Sequence, residues 1–127
     1  MDSPFKYKMV MIVDDTPLDR LIFEDMARKS DFAETVVKMG NGLEAINYLK
    51  ANPDSIPDLI FLDIQMPTLN GIEFLAEYEK IPGIIRKKSI VILTSSLNET
   101  DRQATENNPY VIRYINKPLS MKTLQEF

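Results

Sequence analysis

Apolar residues form three uninterrupted runs, at positions 9–13, 59–62 and 90–93. Runs of this length without helical spacing are typical of strands buried on both faces, as at the centre of a parallel sheet. Two further runs, 35–39 and 110–115, each contain one basic side chain and are therefore expected at the edges. The pattern predicts a sheet of five strands.

A helical segment follows each of these strands. Residues that commonly cap helix N-termini stand at Thr16, Asn41, Asn70, Asn98 and Ser120. The segment 98–108 has a single apolar residue, Ala104, so this helix is expected to bury little. Pro82 and Gly83 are predicted to break the third helix.

Strand and helix alternate five times, which requires parallel strands joined by crossover helices. The three fully apolar runs are expected at the centre and the two interrupted runs at the edges. The sequence therefore predicts an α/β fold, a flavodoxin-like doubly wound five-stranded parallel sheet of order 2-1-3-4-5 with helices on both faces.

Length, composition and charge narrow the class of protein. The 127 residues, 44% of them hydrophobic, are enough for one globular domain over 1–127. A formal charge of -4 argues against direct binding of nucleic acid. Because the chain shows neither a signal-peptide pattern nor an apolar run of membrane-spanning length, we expect a cytoplasmic protein without membrane insertion.

Cysteine and histidine are both absent from the sequence. Their absence excludes disulfides and thiolate sites, and it removes the most common general base. Chemistry on this chain must therefore depend on carboxylates, hydroxyls and lysines.

Polar residues follow four of the predicted strands at the point where each strand ends. They are Asp14, Asp15, Asp63, Thr94 and Lys117. In the predicted order the carboxyl ends of these strands meet at one edge of the sheet, where open α/β sheets place their ligands. Two carboxylates 4 Å apart repel by about 4 kcal/mol at an effective dielectric constant near 20. Mg²⁺, which prefers oxygen ligands, is the natural ion to offset that repulsion.

This set of side chains is the set that an aspartyl phosphate requires. Asp63 is the candidate nucleophile, and the metal and Lys117 would neutralise charge on the phosphoryl oxygens. Thr94 offers a hydroxyl that can donate or accept a hydrogen bond. A carboxylate is already ionised, so this chemistry needs no general base.

The sequence resembles the receiver domain of two-component response regulators over essentially its whole length. The matching motifs, in order, are Val13-Asp14-Asp15, Leu62-Asp63, Met66-Pro67, Asn70-Gly71, Leu93-Thr94-Ser95 and Lys117-Pro118. The final helix stops at Phe127, shorter than is usual in that family, and the segment 98–108 is unusually polar. The resemblance is to a stand-alone receiver.

The resemblance implies a role for each site residue. Asp63 is expected to be the phosphoacceptor and to hold Mg²⁺ together with Asp15 and the backbone carbonyl of Gln65, while Asp14 acts mainly through water. Thr94 and Lys117 are expected to contact the phosphoryl group. Tyr114 matches the switch aromatic of the family, and the Lys117-Pro118 peptide bond is a candidate for the cis form.

Simpler interpretations exist for several of these residues. Asp14 and Asp15 could favour the positive end of the following helix, although two adjacent acids make that less plausible. Packing at the sheet edge explains Tyr114 about as well as switching does. Ser95 and Ser96 are interpreted as structural, and Asn70-Gly71 as a turn and helix cap.

Two roles fit the resemblance. In the first, the protein is a switch that accepts a phosphoryl group from a sensor histidine kinase and changes its 94–115 face for an unknown downstream protein. In the second, it is a phosphorelay shuttle that passes the group to a histidine phosphotransfer protein. In either role it would catalyse its own phosphorylation and slow dephosphorylation, without turnover of a separate substrate.

Other functions on the same fold are disfavoured. A flavin mononucleotide site would suffer repulsion from Asp14-Asp15 at the loop that should bind phosphate. An aspartate-based phosphatase would need a second acid where Gln65 stands. An interaction domain that is never phosphorylated would not need every site position to be filled.

Overall fold

The computed structural model describes residues 4–82 and 89–127, and in them five strands alternate with five helices. The strands are β1 (Tyr7–Val13), β2 (Ala33–Met39), β3 (Leu59–Leu62), β4 (Ile90–Thr94) and β5 (Val111–Asn116). The helices are α1 (Pro17–Lys29), α2 (Gly42–Ala51), α3 (Gly71–Lys80), α4 (Glu99–Glu106) and α5 (Met121–Leu124). Gly83, one of the two predicted breakers of the third helix, lies outside the described residues.

All neighbouring strands are parallel, and their order is β2-β1-β3-β4-β5, which confirms the predicted topology. The strands that carry Lys38 and Arg113 lie at the two edges, as predicted. The bounds of β3 coincide with its apolar run, and the ends of the other four strands differ from theirs by at most two residues. Pairing of Tyr7 with Ala33 extends β1 and β2 towards their N-termini, since backbone pairing at a partly exposed edge does not require apolar side chains.

Side chains of the central strands alternate between two hydrophobic cores. Met11 and Val13 of β1 pack into the core beneath α2 and α3, whereas Val10 and Ile12 pack into the core beneath α1 and α5. In β3, Phe61 lies in the second core and contacts the Phe23 ring of α1 with the centroids 4.7 Å apart. Helices therefore cover both faces of the sheet, as predicted.

Four of the five predicted cap residues use their side chains to cap a helix. They are Asn41, Asn70, Asn98 and Ser120. Thr16 stands at the N-cap position of α1, as predicted, but its side chain makes no cap hydrogen bond. Its backbone N–H donates to Asp14 Oδ1, 2.9 Å away.

The helix α4 buries little, as its polar sequence predicts. Thr105 is its buried residue, while Ala104 lies exposed. The Thr105 hydroxyl donates to the Asp101 carbonyl one turn earlier, so its burial leaves no unsatisfied donor. No helix among the described residues is long and apolar enough to cross a membrane.

Candidate functional site

The ends of the neighbouring strands β1 and β3 hold Asp14 and Asp63 side by side. Val13 pairs with Leu62 at the last register position of β1 and β3, and each acid is the next residue along its strand. The Asp63 N–H donates to the Val13 carbonyl at 3.0 Å, and the Asp14 N–H donates to the Met39 carbonyl at 3.1 Å. Backbone hydrogen bonds thus continue past the strand ends and fix both acids at the carboxyl edge of the sheet.

Asp14, Asp15 and Asp63 each offer a carboxylate oxygen within 4.8 Å of the other two. Asp14 and Asp63 are buried, with 1% and 4% of their surfaces exposed, whereas Asp15 is exposed. Hard oxygen donors at this spacing, with one side open to solvent, fit a divalent cation such as Mg²⁺ or Mn²⁺. The predicted convergence of the three acids is confirmed, and the acidic triad could hold such an ion.

The Lys117 ammonium points into this cluster from the β5–α5 connection. Its Nζ donates to Asp14 Oδ2 at 2.6 Å and to Asp63 Oδ2 at 3.2 Å. The Lys117 N–H donates to the Thr94 carbonyl at 2.8 Å, which aligns the lysine with the end of β4. The Lys117-Pro118 peptide bond is cis, as the family resemblance implies.

Each buried carboxylate is satisfied in the same way. One oxygen of Asp14 accepts from the Thr16 N–H and the other from Lys117. One oxygen of Asp63 accepts from the Gln65 N–H at 3.0 Å and the other from Lys117. The backbone of Gln65 therefore lies against the Asp63 carboxylate. That the Gln65 carbonyl binds a metal stays a prediction.

Burial and pairing oppose each other in the electrostatics of the pocket. Burial raises the pKa of Asp14 above its ordinary value, although the hydrogen bonds from Lys117 and Thr16 lower it. Burial alone would lower the pKa of Lys117, but hydrogen bonds to Asp14 and Asp19 and the charge of Asp63 outweigh it, and the pKa is raised. Lys117 therefore stays protonated and remains the positive charge of the pocket at neutral pH.

Gly71 allows the segment after Asp63 to fold back tightly. The Gly71 N–H donates to the Ile64 carbonyl at 3.0 Å, and a Cβ on residue 71 would lie 2.7 Å from both the Asp63 carbonyl oxygen and the Ile64 Cα. Asn70 and Glu73 form a complete capping box at the start of α3. The Asn70-Gly71 pair is thus a helix cap, as predicted, and its glycine also permits close backbone contact beside the site.

Thr94 and Tyr114 are linked through the backbone of Ser96. Thr94 is fully buried, and its Oγ1 accepts from the Ser96 N–H at 3.2 Å. The Ser96 carbonyl accepts from the Tyr114 hydroxyl at 3.3 Å and from Asn116 Nδ2 at 2.9 Å. The guanidinium carbon of Arg102 in α4 lies 5.2 Å from the centre of the Tyr114 ring.

Two contacts at the site go beyond the sequence analysis. Lys117 Nζ also donates to Asp19 Oδ2 at 2.9 Å, whereas the sequence indicates only that Asp19 lies in the first turn of α1. Ser96, interpreted as structural, connects Thr94 with Tyr114 and Asn116. Neither contact can be predicted from the sequence, because both depend on how a helix or loop packs beside the strand ends.

Comparison with known proteins identifies the family. The fold and the acidic pocket define a flavodoxin-like α/β domain with a candidate metal site at the carboxyl edge of its sheet. The family model of the response regulator receiver domain matches residues 10–127 of the sequence. The chain therefore belongs to this family.

Relatives with this domain differ greatly in length. The chain is 34% identical over 119 residues to the sensor histidine kinase CheAY of Helicobacter pylori; the match covers 94% of the chain but only 14% of CheAY. It is 32% identical over 114 residues to the polar-differentiation response regulator DivK of Brucella anthropi, covering 90% of the chain and 87% of DivK. The domain thus occurs both as part of long proteins and as most of a short one.

Solved structures of the family superpose on this one. A two-component response regulator from Cytophaga hutchinsonii matches with a TM-score of 0.84 and 27% identity, over 95% of this chain and 93% of the other. The Mn²⁺-bound form of response regulator Rcp1 matches with a TM-score of 0.75 and 27% identity, over 94% of this chain and 88% of the other. A structure with the same fold has therefore been solved with a divalent cation bound.

Proposed function

We propose that this protein is a phosphoacceptor response regulator that takes a phosphoryl group from a phosphohistidine onto Asp63. The observation that carries this proposal is the environment of Asp63, a buried carboxylate that lies in a metal-sized acidic triad and contacts the Lys117 ammonium. The donor would be a sensor histidine kinase or a histidine phosphotransfer protein, since this chain contains no histidine.

In the proposed reaction an Asp63 carboxylate oxygen attacks phosphorus. The new bond is O–P and the bond that breaks is P–N of the phosphohistidine. The electron pair of the broken bond stays on the imidazole nitrogen, and the ring leaves neutral because its other nitrogen carries a proton. Asp63 needs no base, so the chain contributes position and charge.

Asp14, Asp15 and Asp63 are proposed to hold Mg²⁺ together with the backbone carbonyl of Gln65. The hard oxygen donors of the triad support this choice. When bound, the ion offsets the mutual repulsion of the carboxylates and the charge on the phosphoryl oxygens. Asp14 is proposed to act mainly through water, as its place in the family's motif implies.

Thr94 and Lys117 are proposed to bind the phosphoryl oxygens, and Tyr114 to report that binding on the 94–115 face. Ser96 supports this, because it is bonded to Thr94 on one side and to Tyr114 on the other. A shift from 1:99 to 99:1 between two forms of that face requires about 5.5 kcal/mol, which a few charge-assisted hydrogen bonds can provide. A downstream protein would recognise the changed face.

A direct test is to incubate the protein with Mg²⁺ and acetyl phosphate and to measure its mass. The wild type should gain one phosphoryl group, and Asp63→Asn should gain none, because an amide oxygen is not the required nucleophile. Removal of Mg²⁺ with EDTA should abolish the gain. An equal gain in wild type and Asp63→Asn would overturn the assignment.

The shuttle is the second candidate, and the match over most of a short response regulator is compatible with it. The phosphorylated protein should be mixed with a histidine phosphotransfer domain and followed over time. Transfer back to histidine faster than hydrolysis supports the shuttle, whereas hydrolysis without transfer supports the switch. In both cases the protein catalyses a reaction of its own Asp63 and does not turn over a separate substrate.

A further inference from the structure

The Lys117 ammonium has three carboxylate partners, and one of them is not part of the acidic triad. Its Nζ lies 2.6 Å from Asp14, 2.9 Å from Asp19 and 3.2 Å from Asp63. An ammonium group has three protons to donate. All three ammonium protons are therefore donated to carboxylates, and the longest of the three contacts is the one to Asp63, the candidate nucleophile.

The three partners differ in how exposed they are. The side chains of Asp14 and Asp63 are 1% and 6% exposed, whereas that of Asp19 is 37% exposed. A buried carboxylate that loses its partner pays the full cost of desolvation, while an exposed one regains water. Asp19 is thus the partner that Lys117 can leave at the lowest cost.

The cavity beside Lys117 and Asp19 offers the ammonium few other hydrogen-bond acceptors. A cavity of about 150 Å³ borders Asp14, Asp19 and Lys117. Its other lining residues are apolar: Ile12, Ile22, Phe23, Met26, Leu93, Pro118 and Leu119. Within this wall, Asp19 is the polar group that accepts the third proton of the ammonium.

We propose that Asp19 is a positioning residue that accepts one hydrogen bond from the Lys117 ammonium until a phosphoryl oxygen on Asp63 accepts that hydrogen bond in its place. This inference rests on the proposed function. In the unphosphorylated protein the partly exposed carboxylate keeps the ammonium on the α1 side of the pocket. On phosphorylation the Lys117 ammonium replaces its hydrogen bond to Asp19 with one to a phosphoryl oxygen, and the Asp19 carboxylate becomes hydrated.

The consequence is that Asp19 opposes the phosphorylated state. Breaking its contact with Lys117 is part of the free energy of phosphorylation, and its negative charge repels the incoming anion. A variant without this charge should accept a phosphoryl group, or a mimic of one, more readily than the wild type.

The experiment measures the affinity for beryllofluoride, a phosphoryl mimic, in saturating Mg²⁺. Asp19→Asn should bind beryllofluoride about three- to tenfold more tightly than the wild type, a smaller effect than that of a fully buried charged hydrogen bond because Asp19 is partly exposed. Asp19→Glu keeps the charge and should stay within about twofold of the wild type. Asp25→Asn makes the same charge change on the exposed surface of α1, where Asp25 pairs with Lys29, and serves as the matched control.

A second readout follows Lys117 itself. The ¹⁵Nζ resonance of Lys117, assigned by its loss in Lys117→Arg, should move when beryllofluoride binds to the wild type. In free Asp19→Asn it should already lie closer to the bound position. A merely structural role of Asp19 in α1 would change the melting temperature without this shift.

The outcomes separate the two proposals. If the wild type gains a phosphoryl group on Asp63 but Asp19→Asn binds beryllofluoride with equal or lower affinity, the role assigned to Asp19 is wrong and the proposed function stands. An effect of Asp25→Asn as large as that of Asp19→Asn would also overturn it, because total charge would then explain both. If the wild type gains no phosphoryl group, the proposed function fails and this inference fails with it.

Discussion

Among single residues, Asp14 stands in an unfavourable environment for its charge. It is 1% exposed, it faces two other carboxylates, and burial raises its pKa despite the contact with Lys117. The folded protein without metal therefore keeps a charge that would be better solvated in the unfolded chain. A divalent cation held by the triad would reverse this balance, so the same residue that weakens the metal-free fold would favour metal binding.

Replacement of Asp14 by Asn should stabilise the metal-free protein at neutral pH. The folded-state pKa of Asp14 lies above its ordinary value of 3.8, so between these two values the folded protein binds more protons than the unfolded chain. The cost of ionised Asp14 is therefore present above its folded-state pKa and disappears as the pH falls through that pKa towards 3.8. Thermal melts in EDTA should show Asp14→Asn melting above the wild type at pH 7, with the difference shrinking as the pH falls.

Divalent metal provides the control for this prediction. Added Mg²⁺ should raise the melting temperature of the wild type by mass action and raise that of Asp14→Asn less. Asp25→Asn should follow the wild type at every pH, because Asp25 is an exposed residue of α1. A lower melting temperature for Asp14→Asn than for the wild type at pH 7 in EDTA would contradict the argument.

At the scale of elements, the β3–α3 connection keeps Asp63 in place by close packing. The first residue of α3, Gly71, lies against the backbone of Asp63 and Ile64, and the Asn70–Glu73 capping box fixes the start of the helix above it. The local structure therefore requires a residue without a side chain at position 71. The start of the helix is thus coupled to the position of the candidate nucleophile.

Gly71→Ala should destabilise the protein and slow the phosphorylation of Asp63. The new Cβ would lie 2.7 Å from the Asp63 carbonyl oxygen, and the contact is with backbone that cannot move without displacing Asp63. Overpacking of this kind costs about 1–3 kcal/mol. Urea denaturation measures the loss of stability, and the rate of mass gain with acetyl phosphate measures the effect on the site.

Gly40→Ala is the matched control for Gly71→Ala. A Cβ at position 40 would meet only the ends of the flexible Glu44 and Arg20 side chains, at 3.4 and 3.7 Å. Its effect on stability should stay within about 0.5 kcal/mol. Equal losses for the two alanine variants would show that the close contact beside Asp63 is not what makes Gly71 necessary.

For the molecule as a whole, strand order could be predicted because a basic side chain interrupts the runs of the two edge strands, whereas the runs of the three central strands are entirely apolar. Topology then places Asp14, Asp63 and Lys117 at one edge, and the structure confirms this placement. The contact of Asp19 with Lys117 could not be predicted, since it depends on the packing of α1 beside the β5–α5 connection. The same holds for Ser96, whose partners are fixed by the path of a loop that has no periodic pattern.

That loop connects the pocket to one outer face of the molecule. Ser96 bonds to Thr94 through its N–H, to Tyr114 and Asn116 through its carbonyl, and to Asp101 of α4 through its hydroxyl at 2.9 Å. A movement of the Thr94 hydroxyl towards a phosphoryl oxygen would therefore disturb contacts that reach both β5 and α4. This is a contiguous hydrogen-bonded route from the site to the face proposed to change.

Asn116→Ala should separate phosphorylation from the response of α4. The variant removes the 2.9 Å bond to the Ser96 carbonyl but leaves the bond from Tyr114 and every contact of Asp63, so its stability should fall by only about 0.5–1.5 kcal/mol. Beryllofluoride should bind with wild-type affinity, whereas the amide chemical-shift changes that binding causes in Glu99–Glu106 should be smaller than in the wild type. Asn107→Ala is the control, since the side chain of Asn107 donates to the Gln103 carbonyl at the exposed end of α4. Shift changes of full wild-type size in Asn116→Ala would mean that α4 does not respond through the bond between Asn116 and the Ser96 carbonyl. The link between the pocket and this face would then have to pass through Tyr114 or through the Ser96 hydroxyl.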